Sequence, residues 1–381
     1  MRVAIVGDYP LDPSRIWGGE QAAFAYLVRG LSKIEGLEIH VVTLSRAATA
    51  GTRSEPNGVT VHALPRLPRG ELFRRYPAYR TRLRAKLAEI RPDAVHAQGA
   101  IHHGFVALRS GHPAVITVHG IQSEDCKYQK NWYLKARKRF VAWWLERSNL
   151  KRTRRLIAIS RYVTTYFARI LRPDVEVYHI PNAIDERFFE LEDASDGRTI
   201  LFAGRVIQVK RPFDLVRAFA RVAARAPSAR LRIAGELDSD PKYASEIREF
   251  VHSAGLGDRV QFLGALPEER VLEEFSRAAL LALSSAQENL PMVVAQAMAA
   301  SRPVVATSVG GVPEMVKDGE SGLLVPAGDV EALAAAMLRI LEDADLRARL
   351  GREGRRLAEE NYRAESVARR TYEVYRRMTG T

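Results

Sequence analysis

The 381 residues of this chain exceed the size at which one hydrophobic core normally keeps growing, so we expect two domains. With 46% hydrophobic and 27% charged residues, the composition excludes a disordered or a fibrous protein. The single cysteine, Cys126, excludes an intramolecular disulfide, and no apolar run is long enough to span a bilayer. We therefore expect a globular cytoplasmic protein without a signal peptide in residues 1–8.

The net charge of +13 is concentrated in the first half of the chain. Residues 1–185 carry 30 Lys and Arg against 15 Asp and Glu, whereas residues 186–381 carry 28 against 30. This asymmetry predicts an anionic partner for the first half, either an acidic membrane surface or a nucleic-acid backbone. A solvated basic face without a partner is the alternative.

Short β-branched runs alternate with amphipathic helical segments, which is the pattern of parallel sheets with crossover helices. The predicted strands of a first series are residues 2–7, 38–44, 59–63, 93–97, 114–118, 156–159 and 176–180. Those of a second series are residues 199–204, 230–234, 260–263, 280–283, 303–307 and 322–325. Each series predicts a Rossmann-like unit, so the predicted fold class is α/β.

A turn-rich segment, residues 181–185, lies between the two series and predicts the domain boundary. We expect an N-terminal domain over residues 1–183 and a C-terminal domain over residues 184–361. From Val330 onward the pattern is almost wholly helical, and it ends in a basic amphipathic helix over residues 364–378.

Two features of the first half indicate ligand binding. Gly18 and Gly19 precede a helical pattern, where exposed backbone amides and the helix dipole favour a phosphate. A structural tight turn explains the glycine pair equally well. His119 follows a predicted buried strand, at the sheet edge where open α/β proteins bind ligands, although a lone histidine is commonly structural.

Two segments of the second half carry charged groups at predicted loop positions. Arg205 and Lys210 lie across a strand-to-helix turn from which both can reach one diphosphate, and a solvated basic turn is the alternative. Glu288 lies just before a helix that we expect to begin at Pro291, with Gln296 in its second turn. The Glu288 carboxylate can accept hydrogen bonds from sugar hydroxyls or can merely cap the helix.

Taken together and in this order, these segments resemble the retaining GT-B glycosyltransferases of family 4. The most specific are residues 204–205 with Lys210, residues 288–296, and residues 310–314 followed by residues 322–326. The resemblance implies two facing Rossmann-like domains with a cleft between them and a nucleotide-sugar donor held mainly by the C-terminal domain. It also implies that residues 362–381 pack back on the N-terminal domain.

The resemblance also assigns roles to individual residues. It implies that Gly18 and Gly19 form the phosphate and sugar loop, and that His119 touches the donor sugar near the reacting carbon. It implies that Arg205 and Lys210 clamp the diphosphate.

The block from Glu288 through Asn289 and Leu290 to Gln296 is implied to bind the donor, with Glu288 on the sugar hydroxyls. At the position of the family's second glutamate, which meets the ribose, this chain has Gln296. A neutral amide there donates as well as accepts hydrogen bonds, so the donor preference is not carried over from the family.

The implied reaction moves a sugar from a nucleotide-diphosphate sugar to an acceptor hydroxyl with retention, without a metal ion and without a cofactor besides the donor. We expect a hexosyltransferase of envelope polysaccharide, glycolipid or related glycan synthesis. One alternative is a nucleotide-sugar epimerase on the same fold. The other is a non-catalytic nucleic-acid-binding protein, which would leave Arg205, Lys210 and Glu288 without a joint purpose, so we expect no nucleic-acid partner.

The basic charge of the first half is densest in residues 127–155, which hold eleven Lys or Arg and one acid, Glu146. Trp132, Ala136, Phe140 and Trp144 repeat there at helical spacing, which suits an interfacial helix on an anionic membrane. A core-facing stripe is the alternative. A second basic stretch, residues 66–91, favours the membrane, and with it a glycan or lipid-linked acceptor and a peripheral location on the inner membrane face.

Overall fold

The computed structural model describes residues 1–12, 18–45, 51–65, 76–125 and 132–380. By their internal contacts these residues form two compact units. The first takes residues 1–12, 19–183 and 364–380, and the second takes residues 184–363. Part of the basic stretches singled out above, residues 66–75 and 127–131, lies outside the described residues.

The first unit contains a mainly parallel sheet. Its strands are β1 (Arg2–Val6), β2 (Glu38–Ser45), β3 (Gly51–Ser54), β4 (Thr60–Pro65), β5 (Ala94–Gln98), β6 (Ala114–Val118), β7 (Arg155–Ala158) and β8 (Glu176–His179). Their order is β3-β4-β2-β1-β5-β6-β7-β8. In β1 all residues after Arg2 are apolar, because helices cover both faces of such a sheet, and Val3 to Val6 are fully buried.

The helices of this unit fall between the strands, as the sequence predicts. They are α1 (Gly18–Leu31), α2 (Pro77–Ile90), α3 (His102–Ala107), α4 (Gln122–Asp125), α5 (Trp132–Leu150) and α6 (Arg161–Phe167). The buried side chains of α2, among them Tyr79, Leu83 and Leu87, recur every three or four residues and join the core.

All seven strands predicted for the first half are present, but the sequence prediction missed β3. This strand, Gly-Thr-Arg-Ser, is exposed along its whole length, so it has no alternation of apolar and polar residues to detect. It pairs antiparallel with β4 at the edge of the sheet, with Thr52 opposite His62. The first sheet is therefore mixed and not wholly parallel.

The second unit contains a fully parallel sheet. Its strands are β9 (Thr199–Ala203), β10 (Arg230–Ala234), β11 (Val260–Gly264), β12 (Leu280–Leu283), β13 (Val304–Thr307) and β14 (Gly322–Val325). Their order, β11-β10-β9-β12-β13-β14, is that of a doubly wound Rossmann unit. All six strands predicted for this half are present.

The helices of the second unit are α7 (Pro212–Arg225), α8 (Pro241–Ser253), α9 (Glu268–Arg277), α10 (Met292–Ala299), α11 (Val312–Met315), α12 (Val330–Glu342) and α13 (Ala344–Asn361). In α7 the buried residues Leu215, Phe219 and Val222 line one face and pack on the sheet. The last helix, α14 (Ala364–Thr379), belongs to the first unit and buries Val367, Thr371 and Tyr375 there.

Candidate functional site

The strand order of the second unit identifies where a ligand binds. Strands β10 and β11 follow β9 on one side of the sheet, and β12, β13 and β14 follow on the other, so the strand order reverses between β9 and β12. Open α/β sheets bind ligands at such a reversal point, outside the carboxyl ends of the strands. The loop after β9 contains Arg205 and Lys210, and the loop after β12 contains Glu288. Arg205, Lys210 and Glu288 therefore lie on the two loops that flank this point.

Hydrogen bonds tie these two loops together. The Ser284 hydroxyl, at the end of β12, donates to the carbonyls of Lys210 at 3.0 Å and Arg211 at 2.9 Å. The Ala286 amide donates to the Val209 carbonyl at 2.8 Å. A short 3-10 turn, Gln208–Lys210, is thereby fixed against the loop after β12.

The predicted pair of Lys210 and Glu288 is in direct contact. The Lys210 ammonium donates to Glu288 Oε1 at 2.6 Å and to Oε2 at 2.8 Å, and the Ser285 hydroxyl donates to Oε1 at 2.6 Å. Glu288 is only 7% exposed, so its carboxylate is a buried charge balanced by this ammonium. The sequence assigned the two residues to different parts of a donor and gave no sign of this pairing.

The N-terminal end of α10 is not capped by Glu288. The helix begins at Met292 with Pro291 as its cap residue, one residue later than predicted, and no side chain caps it. The Glu288 carboxylate is engaged by Lys210 and Ser285, so the helix-capping alternative is wrong. Gln296 lies half-buried in the second turn of α10, as predicted.

The remaining predicted loop residues of this half lie on the same two loops as the pair. Arg205 is exposed, and within the described residues no side-chain partner of its guanidinium is seen. Asn289 is half-buried and Leu290 is buried, both on the loop that leads from Glu288 to α10. This loop passes so close to Gly310 that a Cβ there would lie 1.6 Å from the Glu288 carbonyl oxygen. The glycine turn after β13 is therefore part of the same site.

In the first unit, His119 follows β6 directly, where the sequence placed it. Its Nε2 lies 2.6 Å from Gln98 Oε1 and its Nδ1 lies 2.9 Å from Asn182 Oδ1. Gln98 ends β5, the strand beside β1 at which the order of this sheet reverses. Sequence reasoning missed Gln98 and Asn182, although a polar residue ending a buried strand at the reversal point is a usable signal.

Burial changes the protonation of the histidines around this point. It lowers the pKa of His119 to about 4. Burial, followed by the proximity of His119, lowers the pKa of His96 to about 3. Both imidazoles are therefore neutral at physiological pH.

The free energy of unfolding of the first unit is expected to fall on acidification. His96 and His119 stay neutral in the folded unit, whereas the unfolded chain binds their protons near pH 6.5. Because the unfolded state binds more protons below pH 6.5, stability is complete above that pH. The contribution of His119 to stability is lost between pH 6.5 and about pH 4, and that of His96 between pH 6.5 and about pH 3. At pH 5 each histidine should have removed about 2 kcal/mol.

Urea unfolding followed by tryptophan fluorescence checks this expectation, because all four tryptophans lie within residues 1–185. The midpoint should decrease clearly between pH 7.5 and pH 5. A probe in residues 184–363, where His252 is the single histidine of the sequence, serves as the control. Burial also lowers the pKa of His62, His102 and His103 in the same unit, so they contribute with the same sign. Equal decreases for both probes would contradict the assignment to the buried histidines of the first unit.

Gly18 and Gly19 are exposed at the first two positions of α1, and Gly18 has a positive φ of 82°. A residue with a side chain is strained in that conformation, so the glycine is required by the turn that opens the helix. The preceding residues, 13–17, lie outside the described part of the chain. The predicted phosphate loop is thus described at its helical end, and its role remains a prediction.

The described residues contain neither a metal-binding cluster nor a membrane-spanning helix. Among them no group of three or more His, Cys, Asp or Glu side chains is placed to hold a metal ion. No helix in the described part of the chain is long and apolar enough to cross a membrane.

The chain forms two Rossmann-like units, and in the second unit the strand order places charged loops at the reversal point. This is the architecture of the GT-B glycosyltransferases. Comparison with family models agrees with this class. Residues 183–357 match the model "Glycosyl transferases group 1", and residues 17–188 match "Glycosyltransferase Family 4". The chain belongs to the family 4 glycosyltransferases, and the predicted family and fold are confirmed.

Three distant relatives are similar to this chain over most of their length. An N-acetyl-alpha-D-glucosaminyl L-malate synthase of Bacillus anthracis is 25% identical over 79% of this chain and 80% of its own. A sucrose-phosphate synthase from Thermosynechococcus elongatus has a TM-score of 0.84 at 24% identity, with full coverage of both chains. Anabaena HepE, solved in complex with UDP-glucose, has a TM-score of 0.76 at 19% identity, covering 98% of this chain and 99% of its own.

Family membership decides between the functions left open by the sequence. The chain is a glycosyltransferase, as predicted, and neither the epimerase nor the non-catalytic nucleic-acid-binding protein is supported.

Proposed function

We propose that this enzyme transfers a sugar from a nucleoside-diphosphate sugar to an acceptor hydroxyl with retention of configuration and without a bound metal ion. The observation that carries the proposal is the Lys210–Glu288 pair, held at the reversal point of the second sheet beside the exposed Arg205. A buried carboxylate next to cations offers acceptors for sugar hydroxyls and donors for phosphate in one place. The complexes of Anabaena HepE with UDP and with UDP-glucose support this type of donor.

The charges of the site suit the leaving group. As the bond from the anomeric carbon to the diphosphate oxygen breaks, negative charge grows on the phosphate. The Arg205 guanidinium and the Lys210 ammonium stabilise this charge, the first through its planar fork and the second as a point charge. Two fixed cations supply what a divalent metal would supply as a Lewis acid, which supports a metal-independent reaction.

Retention follows if the acceptor oxygen bonds to the anomeric carbon on the face that the diphosphate leaves. The acceptor proton then passes to the departing phosphate oxygen, and the transition state resembles an oxocarbenium ion. In this scheme Glu288 holds sugar hydroxyls and keeps its ion pair, and Gln296 meets the ribose hydroxyls. The α-glucosaminyl product in the name of the Bacillus anthracis relative supports retention from an α-linked donor.

Product analysis tests the stereochemistry and the metal requirement together. We expect an α-linked product from an α-linked nucleotide sugar, read from the anomeric proton by NMR, and an unchanged rate in excess EDTA. L-malate, the acceptor in the name of a relative, is a first acceptor to try with UDP-glucose, UDP-N-acetylglucosamine and GDP-mannose. An inverted product, or activity abolished by EDTA and restored by Mg²⁺, would refute the corresponding part of the proposal.

We further propose that the basic first half binds an anionic membrane through α5, which would bring a lipid-linked or glycan acceptor to the enzyme. The exposed fraction is 65% for Phe140, 43% for Trp143 and 39% for Trp144. The opposite face of α5, including Leu145 and Asn149, is buried. This exposure supports the interfacial interpretation over the core-facing stripe. Large aromatic rings that face water are rarely grouped on one helix face unless that face binds a membrane or another partner.

The polar groups of the same region support an anionic surface. Glu146, the one acid of residues 127–155, is buried. Its carboxylate accepts hydrogen bonds from the backbone amides of Gln122 at 2.7 Å and Ser123 at 3.3 Å. Arg139, on α5, and Lys151 and Arg152, just after it, are exposed. The described surface of this segment therefore presents cations and aromatic rings together, which matches an anionic headgroup region.

Vesicle sedimentation checks this expectation. The protein should bind vesicles that contain anionic lipid, less so as salt rises, and replacing Phe140, Trp143 and Trp144 by Ser should abolish most of the binding. Replacing Arg139, Lys151 and Arg152 by Ser should cost about 3 kcal/mol, more than 100-fold in affinity.

The matched control replaces three exposed arginines of the second unit, Arg339, Arg349 and Arg352, by Ser. It removes the same charge and should leave vesicle binding nearly unchanged. Equal losses of vesicle binding in the two cationic variants would mean that binding depends only on net charge, and would contradict a membrane contact through α5.

A further inference from the structure

A chain of hydrogen-bonded side chains runs from the last helix of the first unit to His119. Tyr375 Oη, on α14, lies 2.6 Å from His96 Nδ1, and His96 Nε2 lies 2.7 Å from Thr117 Oγ1. Gln98 lies between the two imidazoles, with its Oε1 2.6 Å from His119 Nε2. Because Tyr375, His96 and Gln98 are at most 1% exposed, none of these contacts is exchanged for water at low cost.

The ring of His96 is fixed by its two hydroxyl partners. A neutral imidazole has one donor and one acceptor nitrogen, and Tyr375 and Thr117 supply a hydroxyl to each, so both tautomers hold the ring in the same place. Burial keeps this ring neutral, with the pKa of His96 lowered to about 3. The face of His96 is therefore an uncharged π surface.

This surface decides the orientation of the Gln98 amide. The amide nitrogen of Gln98 lies 3.2 Å from Nε2 and 3.5 Å from Nδ1 of His96. Nδ1 and Nε2 flank the same ring carbon, and an atom in the ring plane at these two distances would clash with the ring, so the amide nitrogen lies over the ring face. An N–H group is attracted to a π face, whereas a carbonyl oxygen is repelled by it. The Gln98 oxygen therefore points away from His96 and toward His119.

An oxygen that faces His119 Nε2 at 2.6 Å can only accept a hydrogen bond, so Nε2 of the neutral ring carries the proton. Nδ1 is then an acceptor. It faces the side-chain amide of Asn182 at 2.9 Å, which can present its NH₂ group there because either end of an Asn amide fits the same outline.

We propose that Gln98 is a positioning residue that fixes His119 as its neutral Nε2–H tautomer, with His96 and Tyr375 setting the orientation of Gln98. The proposal rests on the proposed function together with the donor-sugar contact that the family resemblance implies for His119. His119 then acts through a fixed hydrogen-bonding edge and does not exchange protons during the transfer. Tyr375 makes α14 part of this arrangement, although it is 279 residues from His96 in sequence.

A small cavity with a mainly apolar lining adjoins the chain. This cavity of about 20 Å³ lies beside Gln98 and His119, and its apolar lining includes Ala23, Leu27, Ile157, Ile159 and Val367. That volume admits about one water molecule. His96 is the titratable group that faces His119 most closely, and Asn182 contacts its other nitrogen.

The tautomer is measured by ¹⁵N–¹H correlation of the protein with labelled histidine, in which His119→Gln assigns the His119 signals. We expect a protonated Nε2 and an unprotonated Nδ1 in the wild type across pH 6 to 8. In Gln98→Met, which keeps the volume and removes the acceptor, we expect a mixed or reversed tautomer. Its kcat should fall about 10- to 100-fold with KM changed far less, as for other residues that orient a functional side chain.

Conservative variants separate positioning from packing. Gln98→Glu keeps an acceptor toward His119 and should keep the Nε2–H tautomer, but its carboxylate raises the pKa of His119, so activity should be lost as the pH falls. Tyr375→Phe should lower kcat severalfold. Its matched control is Tyr79→Phe, because Tyr79 is equally buried and its hydroxyl lies 2.8 Å from His103 Nδ1 in a separate pair. The control should lose similar stability and retain full kcat.

A wild-type His119 protonated at Nδ1, or a Gln98→Met enzyme with the wild-type tautomer and rate, would overturn the proposal. The spectra need no substrate, so this result is independent of the proposed function. Should the tautomer be as stated while His119→Gln turns over donor at the wild-type rate, the role of His119 in the proposed function fails and the effect of Gln98 on catalysis fails with it.

Discussion

Replacing Lys210 by Ala is expected to lower kcat/KM by two to three orders of magnitude and also to destabilise the second unit. The lost ammonium removes one cation from the leaving diphosphate, an effect comparable to the roughly 2.7 to 4 kcal/mol of one oxyanion donor. It also leaves the carboxylate of Glu288, which is 7% exposed, without its counter-charge. Breaking a buried ion pair in this way costs about 3 to 5 kcal/mol.

Two further variants separate these effects. Arg205→Ala removes an exposed cation from the same turn, so it should lower turnover and leave the unfolding midpoint unchanged. Lys210→Ala combined with Glu288→Gln should be more stable than Lys210→Ala alone, because a neutral amide needs no counter-charge. Urea unfolding and steady-state kinetics measure both quantities. A Lys210→Ala protein as stable as the wild type would contradict the pairing seen here.

Gly310→Ala is expected to abolish turnover and to cost several kcal/mol of stability. The new Cβ would lie 1.6 Å from the Glu288 carbonyl oxygen, and both atoms belong to backbone or are fixed to it. The loop that holds Glu288 must therefore move, and the carboxylate leaves its position against Lys210. Gly310 also has a φ of +55°, which alone costs a residue with a side chain about 1 kcal/mol.

Gly319→Ala is the matched control for this variant. Gly319 has a φ of +75°, but nothing lies within 4 Å of a Cβ built there. The two substitutions thus share the backbone strain and differ in the contact with the Glu288 loop. Thermal unfolding and kcat should be little affected in Gly319→Ala. If both variants behave alike, the contact between Gly310 and the Glu288 loop has no role in catalysis.

Much of this fold follows from local patterns. Thirteen of the fourteen strands found in the described residues are predicted by the sequence, because central parallel strands are short apolar runs, and such runs are visible without knowing their partners. The exception, Gly51–Ser54, is an exposed edge strand that its pairing with β4 holds in place. A pattern that depends on a neighbour cannot be detected from the segment alone.

The candidate site was predicted as a set of residues but not as an arrangement. Lys210 and Glu288 are 78 positions apart, and their contact depends on β9 and β12 lying side by side. The sequence offered a plausible separate partner for each. His119 was placed correctly at the end of its strand, whereas its contact with Gln98 joins two strands and was not anticipated.

Interior polar groups were the hardest to predict. His96 lies within a buried strand that was identified by its apolar neighbours, and nothing local distinguishes it from a structural histidine. Tyr375 falls within the amphipathic helix predicted over residues 364–378, where its spacing marks it only as an apolar position. Its hydroxyl reaches His96 only because the last helix packs in the first unit, and that packing depends on the whole fold.

Calorimetric titration with nucleoside-diphosphate sugars tests the central claim most directly, namely that the loops after β9 and β12 bind this donor. We predict that at least one member of a panel of UDP-, GDP- and ADP-sugars binds the wild type with one site, and that Arg205→Ala weakens the binding of both the sugar nucleotide and its bare diphosphate at least tenfold. Glu288→Gln should weaken the complete donor more than the bare diphosphate. The absence of binding by every member of the panel, or unchanged binding in Arg205→Ala and Lys210→Ala, would contradict the account.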